Sequence, residues 1–416
     1  MEALRPVSAR RPCALPAQSA RAPQSPDEYL EIYTSSTQPI GTPMSNALFS
    51  PIRLPNLDLA NRIVVSPMCQ YSANDGCAND WHLSHYGALA NSGAALLVVE
   101  ATHVERLGRI SHGCLGIYSD ACEDALARVV DHCRRHGSAK LGIQLSHAGR
   151  KASSRRPWEG ISGLQPGEDP WETIGPSAIP YGEAWTTPRT MNEADMARVR
   201  DAFVDAARRA VSIGFDAIEL HLAHGYLMHS FMSPISNKRN DSYGGSLDGR
   251  MRFPLEVANA VRQVVPKGTS LGARISGHDW KEGGLTGDDA VACSKMLKDV
   301  GLEFICVSSG GITGDTRNPV SPGFNVPLAE KVRGEAGIAT RVVGLITTPK
   351  QAEAIVAEGK ADMVALARSF IDNPHWGWHA AQTLGAEVAR PRQYARSAPR
   401  MWPGAAYPLR EAAHNQ

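Results

Sequence analysis

From residue 60 onward the chain alternates two hydrophobic patterns. Short, near-continuous apolar runs rich in β-branched residues give way to longer stretches in which apolar positions return every three or four residues. The runs are NRIVVSPM, AALLVVEAT, AKLGIQLSH, FDAIELH, SLGARIS, LEFICVS, TRVVGLI and ADMVALA. Unbroken apolar character is what parallel strands covered on both faces require. The periodic stretches are DWHLSHYGALANSG, DACEDALARVVDHCRRHG, NEADMARVRDAFVDAARRAVSIG, SLDGRMRFPLEVANAVRQVV, GDDAVACSKMLKDVG, PLAEKVRGEAG and TPKQAEAIVAEG. In the third of these, Asn192 stands where an N-cap belongs and Gly214 suits the C-terminal cap. Strands and helices in alternation predict an α/β fold, a (β/α)8 TIM barrel. A doubly wound open sheet is the rival, but it wants a glycine-rich turn after its first strand, and SPMCQYS is not one.

One connection breaks the rhythm. Between IQLSHAGRK and the helix near Asn192 lie about 40 residues, far more than an ordinary strand-to-helix loop. They carry Trp158, Trp171 and Trp185 among many Pro and Gly. A long insertion after the third strand is expected to cap the catalytic face. The start of the chain differs too: MEALRPVSARRPCALPAQSARAPQSP is rich in Arg, Ala, Ser and Pro, with Glu2 its only acid. It has no apolar core of a secretory signal, so residues 1–42 read as either an organellar transit peptide or a disordered extension. The barrel is expected over residues 43–390 and a tail over 391–416.

Charge narrows the function. The 416 residues hold 43 Lys plus Arg against 42 Asp plus Glu, so no basic excess marks a nucleic-acid surface. No run of 18 apolar residues exists to span a membrane; GAALLVVEATHV, the most apolar segment, is interrupted by Glu100. The eight cysteines are scattered without metal-ligand spacing, as free thiols of a reducing compartment are. The location expected is the cytoplasm, or an organelle if the N-terminal extension is a transit peptide.

In a barrel, reactive side chains belong at the C-terminal ends of the strands. The first strand ends in Ser66, Pro67, Met68 and Cys69, with Tyr71 just beyond, and the second in Ala101 and Thr102. The third leads to Gln144, His147, Arg150 and Lys151, the fourth to His221, His224 and Tyr226, and the fifth to Arg274. The sixth ends in Ser308 to Gly311, the seventh in Gly344 and the eighth in Ala367 and Arg368, the pair of strands where barrels commonly bind phosphate through backbone amides. His221 and His224 could ligate a metal, donate hydrogen bonds to a ligand oxygen, or belong to a polar loop. No His-Glu-x-x-His pattern or third ligand favours zinc. Tyr226 alone also reads as a packed ring, and Cys69 as an inert core thiol.

Four segments in chain order, SPMCQYS, IQLSHAGRK, HLAHGYLMHSFMSPISNKRNDSYGGSL and the pair RVVGLITTPKQAE with ADMVALARSFIDNP, resemble the old yellow enzymes, FMN-dependent ene-reductases. The cysteine at position 69 is similar to that of the thermophilic-like branch. The resemblance runs from about residue 47 to about 396. It implies that FMN binds through Ser66, Pro67, Met68, Cys69, Ala101, Gln144, Arg274, Gly344, Ala367 and Arg368, with NADPH or NADH as hydride donor. It also implies that His221 and His224 hold the oxygen of an electron-poor alkene, that Tyr226 protonates the α-carbon, and that Tyr71 lines the substrate pocket. Gln144 and Arg274 would flank the flavin pyrimidine edge, Cys69 would modulate its potential, and Lys151 would lie near the rim. RPRQYARSAP resembles the tail that carries an arginine into a neighbouring subunit's site, which implies a homodimer with Arg396 in the partner's pocket. No cysteine follows Cys306, whereas the larger dienoyl-CoA reductase relatives bear an iron–sulfur cluster beyond that point.

Two positions depart from the family pattern. Ala367 stands where Gly is usual, and Gly249 where Asn precedes Arg. The rival functions are a flavin-free aldolase using Lys151 as a Schiff base and a flavin-binding sensor without turnover.

Overall fold

The computed structural model describes residues 46–406. The predicted extension, residues 1–42, lies outside the described residues, as does the end of the tail.

A two-stranded antiparallel hairpin, β1 (Ile52–Leu54) and β2 (Leu57–Leu59), opens the described chain. β3 (Ile63–Val65), α1 (Asp80–Leu89), β4 (Leu96–His103), α2 (Asp120–His136) and β5 (Lys140–Ser146) follow. The long insertion comes next and contains only β6 (Ile174–Gly175) paired in parallel with β7 (Arg189–Thr190). Then come α3 (Glu193–Ser212), β8 (Ala217–Leu222), a short α4 (Leu227–Met232), α5 (Leu247–Val264), β9 (Ser270–Ser276), α6 (Gly287–Asp299) and β10 (Phe304–Ser308). The remainder is α7 (Val326–Ala336), β11 (Ala339–Val342), α8 (Pro349–Ala357), β12 (Met363–Leu366), α9 (Arg368–Asp372) and α10 (Trp376–Leu384). Every predicted strand run overlaps one of the barrel strands.

Eight of the strands close a barrel in the order β3, β4, β5, β8, β9, β10, β11, β12 and back to β3, all parallel. Two apolar cores explain the unbroken hydrophobic runs. One lies between barrel and helices and includes Val65, Val99, Ile143, Leu220, Ile275 and Val307. The other fills the barrel's lower interior with Val64, Leu96, Val98, Ala217, Phe304 and Met363, closed from beneath by Leu54, Leu57 and Leu59 of the hairpin. The hairpin was not predicted; its three-residue strands are too short to show a period.

Local signals held where they were strong. Asn192 caps α3 with a capping box to Asp195. Ile213 is the terminal cap, with Gly214 next to it at φ +94°, the position where a left-handed residue ends a helix. Helix α10 does not stand out in the sequence, because it spans only nine residues and its polar face is no more than His379, Gln382 and Thr383, opposite buried Trp376, Trp378 and Ala381. None of the described helices is long and apolar enough to cross a membrane.

The insertion folds over the strand C-termini. Arg150, buried, donates from Nη1 to the carbonyls of Ile179 and Pro180 at 3.2 Å each and from Nη2 to that of Ile312. Trp171 Nε1 reaches the Leu107 carbonyl at 2.8 Å, and Trp185 Nε1 reaches Ser154 Oγ at 2.9 Å. Trp158 sets its ring edge-on to Tyr71 with centroids 5.9 Å apart.

Candidate active site

The end of β8 turns sharply. His224 has φ +60° and Gly225 φ +76°. A Cβ at Gly225 would stand 2.2 Å from the Gly311 carbonyl oxygen, so only glycine lets the two loops meet there. The Gly225 N–H donates to His229 Nδ1 at 2.8 Å, while His229 Nε2 lies 2.9 Å from Asp279 Oδ1. Ser233 Oγ adds a 2.7 Å bond to the same Asp279. His229 and Asp279 thus hold the turn that presents His224 and Tyr226, and sequence reading overlooked both. The signal was a third histidine three residues beyond Tyr226.

The turn brings three predicted side chains together. The His221 and His224 rings meet at 84° with centroids 5.1 Å apart, and Tyr226 stands edge-on to His221 at 4.8 Å. The Ala223 N–H donates to His221 Nδ1 at 3.2 Å, which leaves the Nε2 of a neutral imidazole carrying the proton. His224 Nε2 meets Ser308 Oγ at 2.7 Å, and among the described residues nothing hydrogen-bonds its Nδ1. Burial, then the positive charge of Arg274, pushes both imidazoles well below the usual histidine range, so both are neutral near pH 7. Burial likewise pushes the Tyr226 phenol well above its ordinary value and keeps its proton in place.

Below this layer the barrel interior turns polar. Gln144 Nε2 donates to Glu219 Oε1 at 2.7 Å, and Arg341 closes on the other Glu219 oxygen. Arg274, level with His221 in the strand register, donates to Ser66 Oγ at 3.2 Å and to Ser308 Oγ at 3.3 Å. Its buried Nε has no partner and, among the described residues, no carboxylate pairs with it. A buried cation so placed is costly without an acceptor. The electron-rich carbonyl edge of a flavin is such an acceptor, so the site fits FMN. A cleft of about 400 Å³ opens beside it, lined by His224, Arg274, Ser308, Gly344, Ala367 and Arg368 among others. The cleft therefore joins the predicted pyrimidine and phosphate ends. Ala367 has φ −112°, a conformation that needs no glycine.

The other wall is the loop after β3. Cys69, Tyr71 and Tyr226 pack against one small cluster of Ile110, Cys114, Ala148 and Ala152. Burial pushes the Cys69 thiol well up, so it is a thiol and not a thiolate. Between Cys69 and Tyr71, the backbone N–H of Gln70 donates to Glu100 Oε2 at 2.9 Å, and Tyr86 donates its hydroxyl to Oε1 at 2.9 Å. Glu100 sits at a bulge in β4, where the register shifts between Val99 and Ala101. The acid that interrupts the most apolar segment is thus an anchor for the loop after β3.

Several predicted residues have other occupations. His147 is buried against Glu105, Nε2 to Oε1 at 2.8 Å, and accepts from the Gly149 N–H at 2.9 Å, away from the cleft. The Lys151 Nζ donates to the His224 carbonyl at 2.8 Å and lies 4.4 Å and 4.7 Å from the ring centroids of Tyr181 and Tyr226. Burial lowers that amine to about 7. Arg396 is exposed in a turn, Arg392–Ser397, whose Tyr394 ring lies 5.9 Å from that of Trp378 on α10. Gly249 departs from the family pattern for a steric reason, since a Cβ there would meet the Gly244 carbonyl oxygen at 2.1 Å.

Paired neutral imidazoles, a protonated phenol and an arginine without a carboxylate partner at the mouth of a parallel barrel fit one class, an oxidoreductase barrel with a planar redox cofactor. Residues 47–387 match the NADH:flavin oxidoreductase / NADH oxidase family, and the chain belongs to that family. It is 45% identical over 355 residues to an NADPH dehydrogenase of Geobacillus thermodenitrificans (strain NG80-2), covering 85% of this chain and 99% of that one. Morphinone reductase has the same fold, with a TM-score of 0.69 and 28% identity over 84% of this chain and 93% of its own. A 2-naphthoyl-CoA reductase in complex with 2-naphthoyl-CoA gives a TM-score of 0.73 over 82% of this chain. At 23% identity that likeness concerns the fold alone, and the chain spans 53% of that enzyme's length. The chain is an FMN-dependent oxidoreductase that acts with a nicotinamide donor.

Proposed function

We propose that the protein reduces the activated C=C bond of α,β-unsaturated carbonyl or nitro compounds, with NADPH or NADH as the electron source. The observation that carries this reading is the His221–His224–Tyr226 constellation: two neutral N–H donors beside a phenol that keeps its proton. Bound FMN, once reduced, supplies the hydride. Gln144 and Arg274 would hold its pyrimidine edge, Ser66, Pro67, Met68, Cys69 and Ala101 would line it, and the backbone at Gly344, Ala367 and Arg368 would receive its phosphate. His221 through Nε2–H and His224 through Nδ1–H grip the substrate's carbonyl or nitro oxygen. Both bonds strengthen as negative charge grows on that oxygen, an effect of about 10²–10³-fold per donor in comparable sites. Tyr226 then delivers its proton to the α-carbon, and Tyr71 walls the pocket. Because the nicotinamide and the alkene use one site in turn, ping-pong kinetics are expected. Arg396 of a second copy completes the pocket in a two-fold dimer, the commonest oligomer symmetry.

The test is a spectrum of the pure protein, chromatography of the flavin released by heat, and anaerobic reduction by NADPH followed by mixing with an enone, a maleimide and a nitroalkene. FMN and re-oxidation by these alkenes are expected. Recovery of FAD, or a reduced flavin that none of them re-oxidises, overturns the proposal.

A further inference from the structure

Cys77 and Cys122 take no part in the site above, yet their Sγ atoms are 3.4 Å apart. Among the described residues they are the only two cysteines within hydrogen-bond reach of one another. Cys77 lies eight residues beyond Cys69, on the loop that carries Tyr71, and exchanges backbone hydrogen bonds of 2.9 and 3.1 Å with Asn74. Cys122 is in the first turn of α2, its N–H bonded to Ser119 Oγ at 3.3 Å. The two segments already interlock: Ala73 N–H donates to the Gly113 carbonyl at 2.8 Å, and Gly116 N–H to that of Gly76 at 2.9 Å. Tyr118 adds its hydroxyl to the Asp75 carbonyl at 2.9 Å. Fixed backbones therefore hold the sulfurs face to face. A disulfide bond is about 2.0 Å long, so closing it asks for roughly 1.4 Å of approach, a small side-chain rotation. Cys77 is half-buried and open to a small oxidant, whereas Cys122 is 1% exposed.

We propose that Cys77 and Cys122 form a reversible disulfide when the protein meets hydrogen peroxide, stapling the Tyr71 loop to the start of α2. The Cys77 sulfur attacks one peroxide oxygen, the O–O bond breaks, and a sulfenic acid and one water result. The Cys122 sulfur then attacks the sulfenic sulfur and expels the second water. Two thiols lose two electrons and two protons, and the peroxide is reduced to two waters. A dithiol reductant restores both thiols by exchange. Burial raises the Cys122 thiol to about 11, so it stays protonated and the first attack on peroxide falls to the more exposed Cys77.

The holoenzyme is treated with hydrogen peroxide and mapped by mass spectrometry without reduction. Loss of two of its eight thiols, a peptide linking Cys77 to Cys122, and full recovery with dithiothreitol are expected. In Cys122→Ser the reaction should stop at a Cys77 sulfenic acid that dimedone traps. Oxidation confined to other cysteines, over-oxidation of Cys77 with Cys122 still free, or no thiol loss overturns the proposal. Amide exchange over residues 72–79 should slow in the linked form; a link that leaves this exchange unchanged overturns the stapling.

Discussion

Tyr226→Phe removes one hydroxyl and little else. Among the described residues nothing accepts or donates a hydrogen bond at that hydroxyl, while its ring lies 4.8 Å from that of His221 and 4.7 Å from Lys151 Nζ. The packing survives the substitution, so stability should change by less than about 1 kcal/mol. The proton does not survive. Positioned general acids contribute about 10²–10⁴-fold, which at ~1.36 kcal/mol per decade raises the barrier by roughly 3–5 kcal/mol. The loss should fall on the alkene half-reaction alone, since flavin reduction by NADPH needs no proton from the phenol. Anaerobic stopped-flow absorbance separates the two halves. Because burial holds the phenol well above its ordinary value, the protonated form persists past neutrality. The wild-type alkene half-reaction should therefore not fall between pH 7 and 9 through this group. Equal slowing of both halves, or a change under threefold in the alkene half, would refute the reasoning and leave Tyr226 a packing residue.

Cys69→Ala should keep fold and FMN but shift the flavin midpoint potential, because a polarisable thiol is lost from the ring's surroundings; an unchanged potential in an anaerobic titration would reduce Cys69 to packing. Glu100 is raised by burial from the usual 4.5 to about 7, so the folded state binds its proton more tightly than the unfolded chain does. Its contribution to stability is full below pH 4.5 and is lost as pH rises through about 7, on the order of 3 kcal/mol in all. Denaturant unfolding of wild type and Glu100→Gln at pH 5 and pH 8 should show that difference, and a pH-independent difference would contradict it. Mixing Arg396→Ala subunits with Tyr226→Phe subunits should restore activity beyond the sum of the two, since one site of the mixed dimer carries neither defect. A monomer by light scattering, or no recovery after verified subunit exchange, would rule out the shared site.

The barrel was legible because burial on both faces leaves its mark on each strand separately. FDAIELH and LEFICVS read as parallel strands without reference to any neighbour, and Asn192 announced the start of α3 within one turn. The strand-end positions then point to His221, His224, Tyr226 and Arg274. His147 and Arg150 show where that logic stops. Both follow the third strand, yet one turns to Glu105 and the other ties down the insertion.

The sequence alone thus determined the alternation of strands and helices, the long insertion, and the residues carried to the barrel mouth, because each depends on composition or spacing within a short window. Only the tertiary structure decided how those residues are held. Glu100 reaches the Gln70 amide across 30 residues and Arg341 reaches Glu219 across 122, through a register that only barrel closure sets. Asp279 orients His229 from another strand's loop, and Cys77 faces Cys122 from 45 residues away. Such pairs leave no periodic trace, because the contact belongs to two distant segments at once and to neither alone.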